Sequence, residues 1–176
     1  MIETKWYVIT GGPSSGKTKI IVRLAFMGYL TIPEAARALI DNEMSKGRTL
    51  EQIRADEFEF QKTVLKMKID AENRIPVNQT AFFERGIPDS IAYYKICDGD
   101  VESAIKASQK RRYKKVFLLE QLPFEKDYAR TEDEELANKI SKLLHDSYSS
   151  LGYDVISVPV MKSIEERVNF ILSKTI

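Results

Sequence analysis

The chain alternates between short apolar runs rich in β-branched and aromatic residues and longer segments whose apolar positions recur every three or four residues. The first pattern is typical of buried strands and the second of amphipathic helices. Strands are predicted over residues 6–10, 29–32, 80–84, 116–119 and 154–158. Helices are predicted over residues 19–27, 34–44, 50–74, 88–96, 101–112, 131–151 and from 163 onward. This order predicts a three-layer α/β fold with a five-stranded, mostly parallel sheet and helices on both faces.

A glycine-rich stretch stands between the first predicted strand and the first predicted helix. It fits G-x-x-x-x-G-K-[ST], the phosphate-binding loop, and consists of Gly11, Gly12, Pro13, Ser14, Ser15, Gly16, Lys17 and Thr18. Glycines permit the tight turn that points successive N–H groups at an anion, and the helix N-terminus adds its positive dipole end. We expect Lys17 to reach the β- and γ-phosphates of a nucleotide and the Thr18 hydroxyl to bind Mg²⁺. The flanking strand and helix disfavour the alternative, a turn with an exposed lysine.

Length and composition limit the possible functions. The 176 residues predict one domain, residues 1–176, with 43% hydrophobic and 30% charged residues. The formal net charge of +1 gives no argument for nucleic-acid binding. The longest apolar stretch is too short to span a bilayer, and the first residues lack signal-peptide character. We therefore expect a cytoplasmic protein, with a lipid or protein partner left open and the oligomeric state unknown.

Single copies of cysteine and histidine exclude two further classes of site. Cys97 is the only cysteine and His145 the only histidine, so neither an internal disulfide nor a Cys/His zinc site is possible. The pattern around Cys97 predicts a buried structural thiol. The polar helix around His145 predicts a surface residue.

Charged residues follow two of the predicted strands where each strand ends. Glu84 and Arg85 close the third strand, where Glu84 is a candidate Mg²⁺ ligand and Arg85 a candidate phosphate contact. The alternative is an ion pair without a role. Glu34 follows the second strand, and it is either a catalytic base or a first-turn glutamate favoured by the helix dipole. Arg37, one turn on, is either a substrate contact or the surface partner of Glu34.

Basic residues at two further places allow either a functional or a purely structural role. Arg130 stands between a polar loop and a helix, where it is either a lid arginine that stabilises transition-state charge or a solvated side chain. The basic run over residues 110–115 is interpreted as a solvated helix end, with a nucleic-acid or membrane surface as the less favoured alternative.

Three segments together resemble a known family. They are Gly11 to Thr18, Ile32-Pro33-Glu34-Ala35-Ala36-Arg37, and Glu84-Arg85-Gly86-Ile87-Pro88-Asp89-Ser90. They resemble the AAA-labelled P-loop proteins related to the ribosylnicotinamide kinase domain of NadR, a group that also contains the TRPL-translocation-defect proteins of animals. The phosphate loop is generic, whereas the Arg-Gly-Ile-Pro-Asp-Ser run is far more specific. The resemblance extends over nearly the whole chain.

The resemblance implies a nucleoside- or nucleotide-kinase-like P-loop fold. Glu34 matches the glutamate that many nucleoside kinases use as base, and the segment ending at Arg130 resembles a lid. Asp89, with Arg37 and Arg85, is a candidate substrate contact. Glu84 stands where the family usually has aspartate, and its longer side chain would move the metal or act through water.

Two hypotheses for function follow. The first is a small-molecule kinase that transfers the γ-phosphate of ATP, with Mg²⁺, to a nucleoside- or nucleotide-like hydroxyl. In this reading Glu34, Lys17, Arg85 and Arg130 are catalytic. The second is a regulatory NTPase or scaffold without kinase activity. GTP is a possible alternative to ATP, although the sequence has no Asn-Lys-x-Asp motif for reading guanine.

Overall fold

The computed structural model describes residues 1–122 and 131–175. Its strands and helices alternate along the chain as the apolar pattern predicts. In order they are β1 (Ile2–Glu3), β2 (Trp6–Gly11), α1 (Lys17–Phe26), β3 (Leu30–Ile32), α2 (Ala35–Ser45), α3 (Leu50–Ile53), α4 (Glu57–Asn73), β4 (Ala81–Glu84), α5 (Asp89–Ile96), α6 (Glu102–Ser108), β5 (Arg111–Arg112), β6 (Lys115–Leu119), α7 (Thr131–Ser149), β7 (Val155–Val158) and α8 (Ile164–Ser173).

The five predicted strands form one sheet, which confirms the predicted architecture. The strand order is β3-β4-β2-β6-β7, and every neighbouring pair is parallel. The central strand β2 therefore has β4 on one side and β6 on the other. Ligands of open parallel sheets bind beyond the carboxyl ends of the strands. The loop after β2 lies at that edge, beside the end of β4.

Side chains of β2 point alternately to the two faces of the sheet, and each face is covered by helices. Tyr7 and Ile9 pack in a cluster with buried residues of α1 and α8. Trp6 and Val8 belong to a second cluster, which includes Tyr148 of α7. Helices on both faces explain why β2 is buried along its whole length.

The helix predicted over residues 50–74 is interrupted, so that prediction is wrong in its continuity. The Thr49–Gln52 capping box starts α3 as expected, but α3 ends at Ile53. The side chain of Asp56 then accepts a hydrogen bond from the N–H of Glu59 at 3.0 Å and caps α4. A side-chain acceptor of this kind favours a helix start over a helix interior, and it ends the continuous helix.

The helix predicted over residues 101–112 is too long, because α6 ends at Ser108. Arg111 and Arg112 instead form β5, which pairs in parallel with β1. The guanidinium of Arg112 lies 4.4 Å from the centre of the Tyr153 ring and donates to the carbonyl of Gly152. The basic run is therefore not a helix end, and the side chains of its two arginines bind nearby backbone and aromatic groups. Lys110 and Lys114 are exposed, as expected.

Two predictions about single residues have different outcomes. His145 lies at the surface, with 51% of its side chain exposed. The prediction that Cys97 is buried is wrong, because it is partly exposed just after the end of α5. Within residues 1–122 and 131–175, no helix combines the length and the apolar character that crossing a bilayer requires.

Candidate active site

The loop between β2 and α1 has the geometry of a phosphate-binding loop. Gly11 and Gly16 have φ angles of 149° and 91°, values that L side chains rarely adopt. A Cβ at Gly11 would also lie 2.8 Å from Oγ of Ser15. Because α1 begins at Lys17, its unsatisfied N–H groups open toward the loop. The sequence therefore folds into an anion cradle at the end of the central strand.

Lys17 is buried within this loop. Its Nζ donates to the carbonyl of Gly12 at 2.8 Å and to Oγ of Ser15 at 3.3 Å. Burial, together with the neighbouring charge of Arg85, lowers the pKa of Lys17 to about 7. A nearby polyanion would favour the charged ammonium, so the electrostatics of the loop suit a phosphate ligand.

Thr18 connects the loop to the end of β4. Its hydroxyl donates to Oε1 of Glu84 at 2.7 Å. Burial raises the pKa of Glu84, against the opposing effect of this hydrogen bond. Hydroxyl and carboxylate oxygens are ligands that Mg²⁺ accepts, usually together with water and substrate phosphates. The pair therefore fits the predicted metal. Among the described residues, no cluster of three or more His, Cys, Asp or Glu side chains is placed to hold a metal ion. Water and substrate phosphates would therefore supply the remaining ligands.

Arg85 joins Glu34 to the site. Its Nε donates to Oε1 of Glu34 at 2.7 Å, and its Nη1 to Oδ1 of Asp89 at 3.1 Å. The guanidinium lies 5.2 Å from the centre of the Tyr93 ring. Although burial opposes ionisation of Glu34, Arg85 holds the pKa of that carboxyl below its usual value. The two charged strand ends predicted from sequence thus meet in one ion pair.

The backbone at Arg85 has a φ of 65°, which is uncommon for a residue other than glycine. Two buried tyrosines support this turn. The Tyr148 hydroxyl accepts from the N–H of Gly86 at 3.1 Å and donates to Asp89. The Tyr113 hydroxyl accepts from the N–H of Ile87 at 2.9 Å and donates to Glu72. The turn is therefore held by tyrosines from two other parts of the chain, neither of which the sequence motif includes.

Asp89 is buried next to Arg85, and its carboxylate accepts hydrogen bonds from groups of the protein itself. It accepts from the Thr10 hydroxyl at 2.6 Å and from the N–H of Gly86 at 3.0 Å. Burial opposes its ionisation, but Lys68 and Arg85 keep the pKa of Asp89 below its usual value. The structure thus places Asp89 as a support of the turn, whereas its predicted contact with substrate stays a prediction.

A cavity of about 300 Å³ lies between α2, α4 and the end of β4. Glu84 and Arg85 form part of its wall, so the cavity adjoins the phosphate loop. The remaining wall mixes apolar and charged side chains, among them Ile32, Met67, Phe83, Lys68, Asp70, Glu72 and Arg74. This volume and this mixed lining suit a small organic molecule with polar substituents.

Lys68 and Glu72 are buried residues of the site that motif reasoning missed. Lys68 donates to the carbonyl of Gly86 at 3.0 Å and to Oγ of Ser90 at 3.2 Å, and burial lowers its pKa to about 8. A signal existed in the sequence, because Lys68 and Glu72 follow Val64 at intervals of four on the apolar face of α4. Charges on such a face indicate a polar network or a site.

The other predicted residues are placed as follows. Glu34 is the N-cap residue of α2, one position before the helix, rather than within its first turn. Arg37 is exposed, and among the described residues it has no ion pair. Glu34 pairs with Arg85, so the alternative that Arg37 is its surface partner is wrong, whereas a contact of Arg37 with substrate stays a prediction. Arg130 lies outside the described residues. The structure therefore brings together Lys17, Thr18, Glu34, Glu84 and Arg85.

Sheet order, phosphate loop and the Thr18–Glu84 pair define a P-loop protein with a nucleotide-kinase-like fold. The family model described as an AAA domain matches residues 6–167, and the chain belongs to that family. No curated protein sequence matches the chain.

Solved structures share the fold at low sequence identity. A NadR protein in complex with NR has a TM-score of 0.70 and 17% identity, with 98% of this chain and 51% of NadR covered. Thymidylate kinase from Ehrlichia chaffeensis has a TM-score of 0.67 and 13% identity, with 99% of each chain covered. Deoxyadenosine kinase from M. mycoides has a TM-score of 0.61 and 16% identity, with 96% of this chain and 97% of the kinase covered. This chain thus spans about half the length of NadR.

Proposed function

We propose that this protein is a small-molecule kinase that transfers the γ-phosphate of ATP to a hydroxyl of a nucleoside-like acceptor. The observation that carries this proposal is that Glu84 belongs to two sites at once. Glu84 binds Thr18 of the phosphate loop, and it lines the cavity between α2, α4 and β4 together with Arg85. A donor on the loop and an acceptor in the cavity would therefore share one wall. NadR and the nucleoside and nucleotide kinases of similar fold support this class of reaction.

The residues suggest a role for each part of the donor site. The loop N–H groups and the Lys17 ammonium would bind the β- and γ-phosphates once Lys17 exchanges the Gly12 carbonyl for phosphate oxygen. Thr18 and Glu84 would hold Mg²⁺, which supplies neutralisation of phosphate charge when it is bound. Nη2 of Arg85 has no hydrogen-bond partner among the described residues and is available to a phosphate oxygen.

On the acceptor side, Glu34 would orient the attacking hydroxyl. In the reaction the acceptor oxygen bonds to the γ-phosphorus, the bond to the β,γ-bridging oxygen breaks, and ADP leaves. The hydroxyl proton passes to the Glu34 carboxylate. Because Arg85 lowers the pKa of Glu34, Glu34 is a weak base. Phosphoryl transfer depends mainly on positioning and charge stabilisation, so a weak but well-placed base suffices.

The second candidate function is a regulatory NTPase that hydrolyses nucleotide slowly. The ion pair itself favours this reading, because the Glu34 carboxylate is already bound by Arg85 at 2.7 Å. In that case Glu34 would hold Arg85 in place and would contact no acceptor. The two candidates differ in whether Glu34 takes part in a transfer step.

A screen followed by one substitution separates the candidates. A thermal-shift screen identifies candidate acceptors. It tests nucleosides, ribosylnicotinamide among them, in the presence and in the absence of ATP-Mg²⁺. Single-turnover transfer is then measured for wild type and Glu34→Gln. A kinase should lose roughly a hundredfold in transfer rate and keep its ATP affinity, as general-base contributions reach that size.

The matched control is Glu43→Gln. Glu43 lies near the C-terminal end of α2 and also pairs with basic side chains, but its partners Lys46 and Arg48 are exposed, whereas Arg85 is buried. We expect it to transfer phosphate at the wild-type rate. Equal transfer by wild type and Glu34→Gln would reject Glu34 as the base. A screen in which no nucleoside accepts phosphate while ATP is slowly hydrolysed would favour the regulatory NTPase.

A further inference from the structure

Arg167 of α8 reaches the phosphate loop from the side of β2 on which β6 and β7 lie, whereas β4 lies on the other side. Its Nη1 donates to the carbonyl of Ser15 at 2.8 Å. The same guanidinium donates to the carbonyl of Glu120 at 2.9 Å, after β6, and to that of Pro159 at 3.0 Å, after β7. Arg167 is only 4% exposed. One buried side chain thus connects the phosphate loop to the ends of two strands.

The partners of Arg167 are unusual for a buried arginine, because they are backbone carbonyls. Among the side chains of residues 1–122 and 135–175, no carboxylate lies within ion-pair distance of its guanidinium. Buried charges usually have a charged partner. The Arg167 guanidinium is bound only by carbonyl groups, and it contacts the backbone of the phosphate loop at Ser15.

The contact with Ser15 determines the direction of a neighbouring donor. The carbonyl of Ser15 and the N–H of Gly16 belong to one peptide plane, and they point in opposite directions because the peptide is trans. Fixing the Ser15 carbonyl toward Arg167 therefore fixes the Gly16 N–H toward the inside of the loop. This N–H is one of the groups that form the anion cradle.

We propose that Arg167 is a positioning residue for the phosphoryl donor, acting through the Ser15–Gly16 peptide and not by touching the nucleotide. The inference rests on the proposed function, since it takes the ligand of the loop to be a nucleoside triphosphate. Its contacts lie beside β6 and β7, whereas the cavity adjoins β4. A defect at Arg167 should therefore affect the donor and spare the acceptor.

Two substitutions distinguish geometry from charge. Arg167→Lys keeps the positive charge, but an ammonium donates from one atom and cannot reach carbonyls on three separate segments as the planar guanidinium does. Arg167→Gln removes the charge and keeps one amide group as donor. If Arg167 acts by positioning, both variants should be impaired. If it acts by charge alone, Arg167→Lys should resemble wild type.

Binding is measured by calorimetry with AMP-PNP and Mg²⁺, well below the unfolding temperature, and KM is measured separately for ATP and acceptor. We expect both variants to lose about tenfold or more in AMP-PNP affinity, since a lost charge-assisted hydrogen bond has an effect of this order. The KM for ATP should rise while the KM for acceptor stays within about twofold. The control is Arg23→Gln on α1, which removes an exposed arginine paired with Glu165 of α8; it should bind as wild type does.

Three results would overturn the proposal while leaving the kinase assignment intact. They are wild-type affinity in Arg167→Lys, equal rises of both KM values, and failure of both variants to fold, which would assign Arg167 a structural role. If wild-type protein itself binds neither AMP-PNP nor ATP, the proposed function fails, and the role of Arg167 fails with it.

Discussion

The hydroxyl of Thr18 donates to Oε1 of Glu84 at 2.7 Å, across 66 positions of sequence. This bond joins the second residue of α1 to the last residue of β4. It also answers a question raised by the sequence, since Glu84 stands where the resembling family usually has aspartate. The longer side chain reaches the phosphate-loop hydroxyl directly.

Glu84→Gln should weaken the dependence on Mg²⁺ without unfolding the domain. The amide oxygen can still accept from Thr18, but the negative charge that attracts the cation is lost. We expect the Mg²⁺ concentration for half-maximal activity to rise about tenfold, as expected for loss of one charge-assisted contact. Mg²⁺ titration of transfer activity measures this. An unchanged requirement would count against Glu84 as part of the metal site. Glu51→Gln, at an exposed glutamate of α3, is the control.

Lys17→Ala should abolish binding of ATP-Mg²⁺ while the fold survives. The Lys17 ammonium is bonded within the loop to Gly12 and Ser15, and its neighbours on α1 form the core contact. Removing it therefore takes a phosphate ligand away without opening the apolar core. Isothermal titration measures affinity, and circular dichroism checks the fold. Unchanged affinity would reject the phosphate-loop assignment. Lys19→Ala, two residues further along α1 and exposed, should bind normally.

Tyr148→Phe should destabilise the protein and loosen the turn at Arg85. The substitution removes the hydroxyl that accepts from Gly86 and donates to the buried carboxylate of Asp89. Gly86 and Asp89 stay bonded to each other, so the expected loss is that of a buried hydrogen bond to a charged group, about 1.5–3 kcal/mol. Urea unfolding measures the loss. Tyr29→Phe is the control, because Tyr29 is partly exposed and its ring packs on Phe82. Equal stability of the two variants would show that the Tyr148 hydroxyl contributes nothing to the turn.

Lys68 should make folding more favourable as the pH rises above 8. Burial lowers its pKa from 10.5 to about 8. Above pH 8 the folded state releases this proton while the unfolded state keeps it, so the unfolded state binds more protons and the free energy of unfolding increases with pH. Between pH 8 and 9.5 the gain is at most about 2 kcal/mol, from 1.36 kcal/mol per pKa unit.

The measurement compares the free energy of unfolding of wild type and Lys68→Met over that range. The variant is less stable at every pH, because Gly86 and Ser90 lose a donor. The slope with pH is the informative quantity, and the wild-type slope should exceed that of Lys68→Met. Parallel slopes would mean that Lys68 titrates near its usual value. The range stops at pH 9.5, below the titration of unfolded tyrosines.

The sequence by itself determined the elements whose signal is local. The apolar run of Trp6 to Thr10, the glycines at positions 11 and 16, and the helix after Lys17 predict strand, loop and helix without any distant contact. The alternation of strands and helices predicted the parallel sheet, since only crossover connections join parallel strands. Glu34, Glu84 and Arg85 were found for the same reason: each follows an apolar strand, and parallel strands end at one edge.

Only the tertiary structure decided which of these groups meet and what supports them. The strand order places β4 beside β2, and this brings Glu84 to Thr18. It also brings Arg85 to Glu34, so that Glu34 pairs with Arg85 and not with Arg37. Tyr148 and Arg167 lie far along the chain from the groups they bind, and their hydrogen bonds depend on packing that no local pattern encodes. Helix breaks at Asp56 and after Ser108 were likewise decided by competing contacts. Periodicity reports which face of a segment is buried, whereas partners are selected by the three-dimensional arrangement of the whole chain.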